Sequence, residues 1–315
     1  MVIRTTVRRY FVTIPNDTIF FAKRYHRLLC VFSVWVAATP SRWTPGFIYA
    51  LGRWLNPFQL FGEKIRRAMR LALPHDLVDA SWRNWLNSNV RFVLDFLNYG
   101  ALDAAWLKRE VVIESHELLA SLRSTGGLLL TYHTHHQNTL CCALGLGGIK
   151  ISAIAASPEV SPLFPFIGGW AKRVNSDSAQ HFGGGAYLFT DNLRGLLRAT
   201  RKILAEGDVV LCLCDFHQPK PGAQTGVRLF DRFISPPTGT IDLALKHGAP
   251  VYAAMFAPVD GRLVLQLKML DASGGAASIV ASYFSFLESS ILTNPACWQG
   301  WEWFEDLPLA EEPVQ

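Results

Sequence analysis

The 315-residue chain shows no window approaching the roughly 18–20 apolar residues that a membrane-spanning helix needs. The longest candidate, residues 28–38, is too short and is followed by Pro40. Charge is also scarce: 17% of residues are charged, while half are hydrophobic. That balance is oily for a freely diffusing enzyme and suits a protein that lies on a membrane without crossing it. The six cysteines offer no disulfide framework. Cys141-Cys142 and Cys212-x-Cys214 sit inside apolar runs, Cys30 lies in an N-terminal apolar stretch and Cys297 beside Trp298, which predicts small core residues in a reducing compartment. There is no internal repeat and no low-complexity tract. The N-terminus lacks the sustained apolar core and small-residue cleavage site of a signal peptide. A protein facing the cytoplasm is expected.

What charge there is falls unevenly. Residues 1–80 hold twelve Lys or Arg against four Asp or Glu, while residues 301–315 carry five acids and no base. The basic residues alternate with aromatics and aliphatics, as in Arg8-Arg9-Tyr10-Phe11 and Phe20-Phe21-x-Lys23-Arg24-Tyr25. Such interleaving fits an interfacial helix against anionic lipid. It fits nucleic acid poorly, because a phosphate-binding face is solvated and this stretch is too apolar.

Along the chain, residues 1–110 read as a mostly helical, membrane-associating region, with helices at 25–37, 45–54, 61–73 and 77–97. Residues 111–315 read as an α/β domain continuous with it. Strand-like apolar runs occur at 127–132, 150–156, 209–214, 250–257 and 263–269, with helical runs at 193–205 and 241–247 between them. Alternation of this kind predicts a sheet with crossover helices.

The stretch 126–140 concentrates the chemistry. A short apolar strand runs into His133-Thr-His135-His136-Gln-Asn138, and an apolar helix then begins near Thr139. A strand-to-helix turn exposes a histidine while fixing it, and a helix N-terminus disfavours imidazolium, so His133 is a natural general base. Positions five apart on one helix diverge by about 140°. Asn138 therefore orients His133 only if the histidine precedes the helix and the Asn lies in its first turn. His135 and His136 are a bystander or a substrate contact. Asp215 ends the strand 209–214, where α/β sheets place functional side chains. Arg173 follows an apparent Gly168-Gly169-Trp170 turn, and Arg228 and Arg232 flank Phe230; arginines near a site often hold phosphate or carboxylate. Gly183-Gly184-Gly185 is a weak phosphate-cradle candidate. The histidine cluster invites a rival metallo-hydrolase reading, but a His-x-His-x-Asp-His ligand set would have Gln137 and Asn138 at its last two positions.

Longer blocks carry a resemblance. Arg67-Ala-Met-Arg-Leu-Ala-Leu-Pro-His and Ser81-Trp-Arg-Asn-Trp precede the histidine block. Gly207-Asp-Val-Val-Leu-Cys-Leu-Cys-Asp215 follows it, then Pro236-Pro-Thr-Gly-Thr-Ile and Asn294-Pro-Ala-Cys-Trp298-Gln-Gly-Trp301-Glu-Trp303. In this order, over residues 25–305, the chain resembles the late lipid A acyltransferases of the lysophospholipid and glycerolipid acyltransferase superfamily. The resemblance implies an acyltransferase-type mixed sheet flanked by helices, and transfer of a fatty acyl chain from an acyl carrier protein or acyl-CoA thioester. The acceptor would be a hydroxyl or amine of a lipid or glycolipid, at the cytoplasmic face of a bacterial inner membrane, with no metal or other cofactor. That family's block is His-x4-Glu or His-x4-Asp. Here His133 matches the base and Asn138 stands in the acid's place, which predicts a slow site or, alternatively, a degenerate acyl-chain-binding protein. The resemblance further suggests Arg173 and Asp215 as residues near the substrate, and His136 and Arg232 join them as expected substrate contacts on the residue patterns above.

Overall fold

The computed structural model describes residues 62–160, 164–218, 226–259 and 261–310. The helices expected at 25–37 and 45–54, most of the basic stretch and Cys30 lie outside them. From Gly62 the described chain is helical to Glu110. Helix α1 (Gly62–Ala72) buries Ile65, Ala68 and Met69, which share one stripe. Pro74 separates it from α2 (Val78–Asn98), and α3 (Ala104–Glu110) starts at Asp103, whose side chain accepts a hydrogen bond from the Trp106 amide at 2.7 Å.

Strand β1 (Val111–Ile113) opens the α/β part, followed by α4 (His116–Thr125), β2 (Gly127–Thr131), α5 (Gln137–Leu146) and β3 (Ile151–Ala155). Next come α6 (Phe164–Ala179), β4 (Tyr187–Phe189), α7 (Leu193–Ala205) and β5 (Val209–Leu213). A separate antiparallel hairpin, β6 (Val227–Leu229) and β7 (Arg232–Ile234), precedes α8 (Gly239–Lys246), β8 (Val251–Val259), β9 (Arg262–Met269) and α9 (Gly275–Thr293). The seven-stranded mixed sheet has the order β1-β9-β8-β2-β5-β3-β4, parallel throughout except at the β8/β9 pair.

Both faces of the central strands are buried, and the period of two decides which core each residue joins. Leu128, Leu130, Val210 and Cys212 pack with α1, α8 and α9. Leu129, Val209 and Leu211 pack with α4 and α5. The five strands expected from apolar runs are present, within two residues at each end; β1, β4, β6 and β7, three residues each, gave no periodicity to read.

Two expectations are corrected. Gly168-Gly169-Trp170 is not a turn, because α6 runs through it from Phe164 to Ala179; the cost of two glycines, about 1 kcal/mol each, does not break a helix bounded by apolar residues. Helix α9 is also long and apolar enough, by length and composition, to cross a membrane, contrary to the expectation that no window qualifies. Its Ile279, Val280, Tyr283, Phe284, Leu287 and Ile291 form part of the core, and the Tyr283 hydroxyl donates to the Thr131 carbonyl of β2 at 2.7 Å.

The C-terminal segment makes three short 3₁₀ turns, Pro295–Cys297, Gln299–Glu302 and Phe304–Asp306. It has little backbone pairing of its own and is held by side chains. Trp298 and Trp301 are fully buried, Trp85 of α2 donates to the Trp298 carbonyl at 3.0 Å, and Arg67 and Lys64 of α1 pair with Glu305 and Asp306. Gly300 is required here, since a Cβ would overlap the Trp298 ring. Arg232 belongs to this clamp. Its guanidinium donates to the Leu307 carbonyl at 3.2 Å, pairs with Asp231 and lies over the Phe304 ring.

Candidate active site at the carboxyl ends of the central strands

Neighbouring strands β2 and β5 pair in parallel with a constant offset of 82 residues, from Gly127↔Val209 to Thr131↔Leu213. The same offset carried two residues further joins His133 to Asp215. The chain beyond β2 crosses to β3 through α5, whereas the chain beyond β5 crosses the other way to β8 through α8. These two helices pack in different cores, on opposite faces. His133 and Asp215 therefore stand where adjacent strands send their chains apart at their carboxyl ends, the crevice in which open α/β sheets bind ligands.

The geometry is that of an oriented base. His133 Nδ1 lies 2.7 Å from Asp215 Oδ1. The His133 amide donates to Oδ2 at 3.0 Å, and Trp298 Nε1 donates to the same oxygen at 2.8 Å. Gln299 donates its amide to the His133 carbonyl at 2.9 Å. Asp215 is fully buried and the His133 side chain is 27% exposed. Because an ionised carboxyl group only accepts, Nδ1 carries the proton and Nε2 keeps its lone pair. Nε2 has no partner among the described residues, and it is not among their buried unpaired atoms, so it faces the opening.

Burial alone would lower the His133 pKa. The Asp215 charge and hydrogen bond, with a further contribution from Glu302, outweigh it and hold the imidazole above its ordinary value. The ring is enclosed edge-to-face by Trp303 at 5.1 Å and Phe216 at 6.0 Å between centroids. Glu302, half-buried beside it, is pushed up to about 7 by burial, against the opposing pull of His133 and Lys64. The Trp303 indole N–H is buried without an acceptor among the described residues.

Asn138 is not the partner of His133. It sits in the first turn of α5, as expected, but the Nδ1 position is already taken by a carboxylate from the adjacent strand. Three amides of the turn that precedes α5 are already engaged. Those of His133, Thr134 and His136 have acceptors in Asp215, Gln137 Oε1 and Thr134 Oγ1.

The remaining candidates are dispersed. His136 is fully buried as the residue before α5. His135 is also buried, its ring 5.1 Å from Trp85, and burial with the nearby His136 pushes its imidazole well below the ordinary value. No group of three His, Cys, Asp or Glu side chains among the described residues is arranged to hold a metal. Arg173 is exposed and paired with Asp177 on its own helix at 3.4 Å. It lies nine residues into α6, roughly 14 Å along an axis that returns toward the opposite edge of the sheet. Arg232 serves the C-terminal clamp. Gly183 and Gly185 press against the backbone at the start of β3, where a Cβ would strike Ile149, just before the strand, or Ile151, its first residue; that contact, not a phosphate, accounts for them.

Glu302 and Trp303 were missed. Their signal was present as an acid between two tryptophans in an otherwise aromatic ending, but nothing local ties that segment to the histidine. No family model matches this chain, and no curated protein matches it.

Proposed function

We propose that the protein is a membrane-associated acyltransferase in which His133, oriented by Asp215, deprotonates a hydroxyl or amine of a lipid or glycolipid acceptor. The observation that carries this reading is the buried carboxylate on Nδ1 together with an Nε2 that faces no protein nucleophile among the described residues. A base so placed acts on a group the substrate brings. The described cysteines do not compete for that role: all five are buried, and burial pushes the thiols of Cys141 and Cys297 up to about 12 and that of Cys212 to about 11, far from thiolate.

In the reaction, the acceptor oxygen or nitrogen attacks the carbonyl carbon of an acyl thioester while its proton passes to Nε2. The tetrahedral intermediate then expels the thiolate, which recovers that proton from His133. Asp215 holds the tautomer and stabilises the imidazolium between the two transfers. The Trp303 N–H is the donor this reading assigns to the developing oxyanion. An acyl carrier protein or acyl-CoA supplies the thioester, and lipid A-type biosynthesis is the setting the sequence blocks favour. The alternative of a degenerate lipid-binding protein rested on Asn138 standing where an acid was expected. The Asp215 carboxylate on Nδ1 supports the catalytic reading over it.

Lipid mass spectrometry of native-host cells expressing either the wild type or His133→Ala at matched levels tests the reading. A species heavier by one acyl chain in the wild type alone is expected; identical profiles would sink it. Trp303→Phe keeps the ring and deletes the N–H, and is expected to lower kcat by about 10²-fold with the acid limb of the pH profile in place. An unchanged kcat would remove Trp303 from the oxyanion site.

A further inference from the structure

Every arginine whose side chain the structure describes has a hydrogen-bond or ion-pair partner, with three exceptions. Arg66, Arg67, Arg70, Arg109, Arg173 and Arg232 pair with acids. Arg83, Arg123, Arg228 and Arg262 donate to backbone carbonyls. The three without a partner, Arg194, Arg198 and Arg201, are all on α7, and all are exposed. Their spacing of four and three places them along one face. Leu193 and Leu197, 52% and 40% exposed, border that face, while Leu196, Thr200 and Leu204 bury the opposite side. No acid occurs between Leu193 and Ala205, so the helix holds its like charges at a cost to its own stability.

We propose that this face of α7 seats on an anionic lipid bilayer. The inference rests on the acyl-transfer reading for its purpose, though not for its observations. Arginine stems lie along apolar surface while their heads reach phosphate, and leucines beside them enter the acyl boundary; this combination suits a lipid interface better than the surface of an acidic protein. The topology adds the orientation. Helix α7 joins β4 to β5, which run parallel within the sheet; it therefore runs against them and begins at their carboxyl edge. Leu193, Arg194 and Leu197 thus stand at the edge that holds His133 and Asp215. Seating α7 turns the mouth of the site toward the leaflet from which a lipid acceptor arrives.

The test is full-chain binding to phosphatidylcholine vesicles with and without one-third phosphatidylglycerol. A basic residue near an anionic leaflet strengthens binding roughly five-fold. The triple variant Arg194→Glu, Arg198→Glu, Arg201→Glu is therefore expected to lose about 10²-fold or more in binding to the anionic vesicles. Any contribution from residues 1–61 is common to both proteins and cancels in the comparison. A charge-matched control, Arg109→Glu, Lys172→Glu, Arg173→Glu, is expected to stay within about five-fold of wild type, since its changes lie off this face. Equal binding by the α7 variant and wild type overturns the proposal, as does an equal loss in the control, which would make the effect one of net charge. Loss of binding to an acyl carrier protein with vesicle binding intact overturns it in favour of a protein partner. The Arg→Gln triple, measured beside it, introduces no acids and is expected to lose about 10²-fold by the same factor. If vesicle binding follows the arginines while His133→Ala leaves lipid profiles unchanged, the docking face stands and the acyltransferase reading falls; the converse pattern separates them the other way.

Discussion

Asp215→Asn is expected to lower turnover by about 10⁴-fold, the scale on which a base loses its oriented tautomer and the charge opposite its imidazolium. The amide preserves size and one acceptor, but its NH2 competes for Nδ1 and favours the tautomer with the proton on Nε2, where the acceptor's proton must go. Asn138→Ala is expected to change turnover by less than about three-fold, because the bond it would have provided comes from β5. Single-turnover rates of the two variants decide between the partners. A large loss for Asn138→Ala with little for Asp215→Asn would reverse the assignment. The double variant Asp215→Asn, Asn138→Asp asks whether the first turn of α5 can supply the missing acid. Recovery of activity would show that a carboxylate at the start of α5 can orient His133 as well as one beyond β5.

Glu302→Gln is expected to act on stability and on pH dependence in opposite directions. The folded carboxyl titrates near 7 against an ordinary 4.5, so between those values the native state holds a proton that the unfolded chain has lost. Stability therefore falls as pH rises through that window and is unpenalised below it. Ionising the buried group costs up to about 3 kcal/mol. The Gln variant should then resist urea better than wild type at pH 8 by as much as that, and match it at pH 4. A gain of equal size at both pH values would refute the burial argument. The same substitution removes one of the two negative charges that hold the His133 proton, so the acid limb of the rate profile should move to lower pH.

The histidine block, the strand before it and the carboxylate at 215 were legible separately, because each is written in a local pattern: an apolar run, a polar break, an apolar restart. The bond between them was not. It depends on β2 and β5 lying side by side, a fact of sheet order that no local pattern encodes, and a local reading turned to the amide five positions on, Asn138. Helix α6 was hidden by Gly168-Gly169, and α9 by the near absence of charge that would mark its faces; Glu288 is its one ionisable acid or base. Glu302 looks like any acid of an acidic ending until the fold sets Trp303 against His133 and buries the carboxyl beside it.

The shared offset of 82 residues also governs which kinds of sequence change the site can survive. The Cys214 amide still donates to the Thr131 carbonyl at 2.9 Å, so the pairing reaches one residue past the end of β5. The unbroken offset is what sets His133 opposite Asp215. Removing a single residue from either segment would carry one member of the pair out of step with the other. Exchanging residues in place, as at Tyr132 or Cys214, costs packing and leaves the aim intact. Length, more than identity, is the inherited constraint on this stretch of chain.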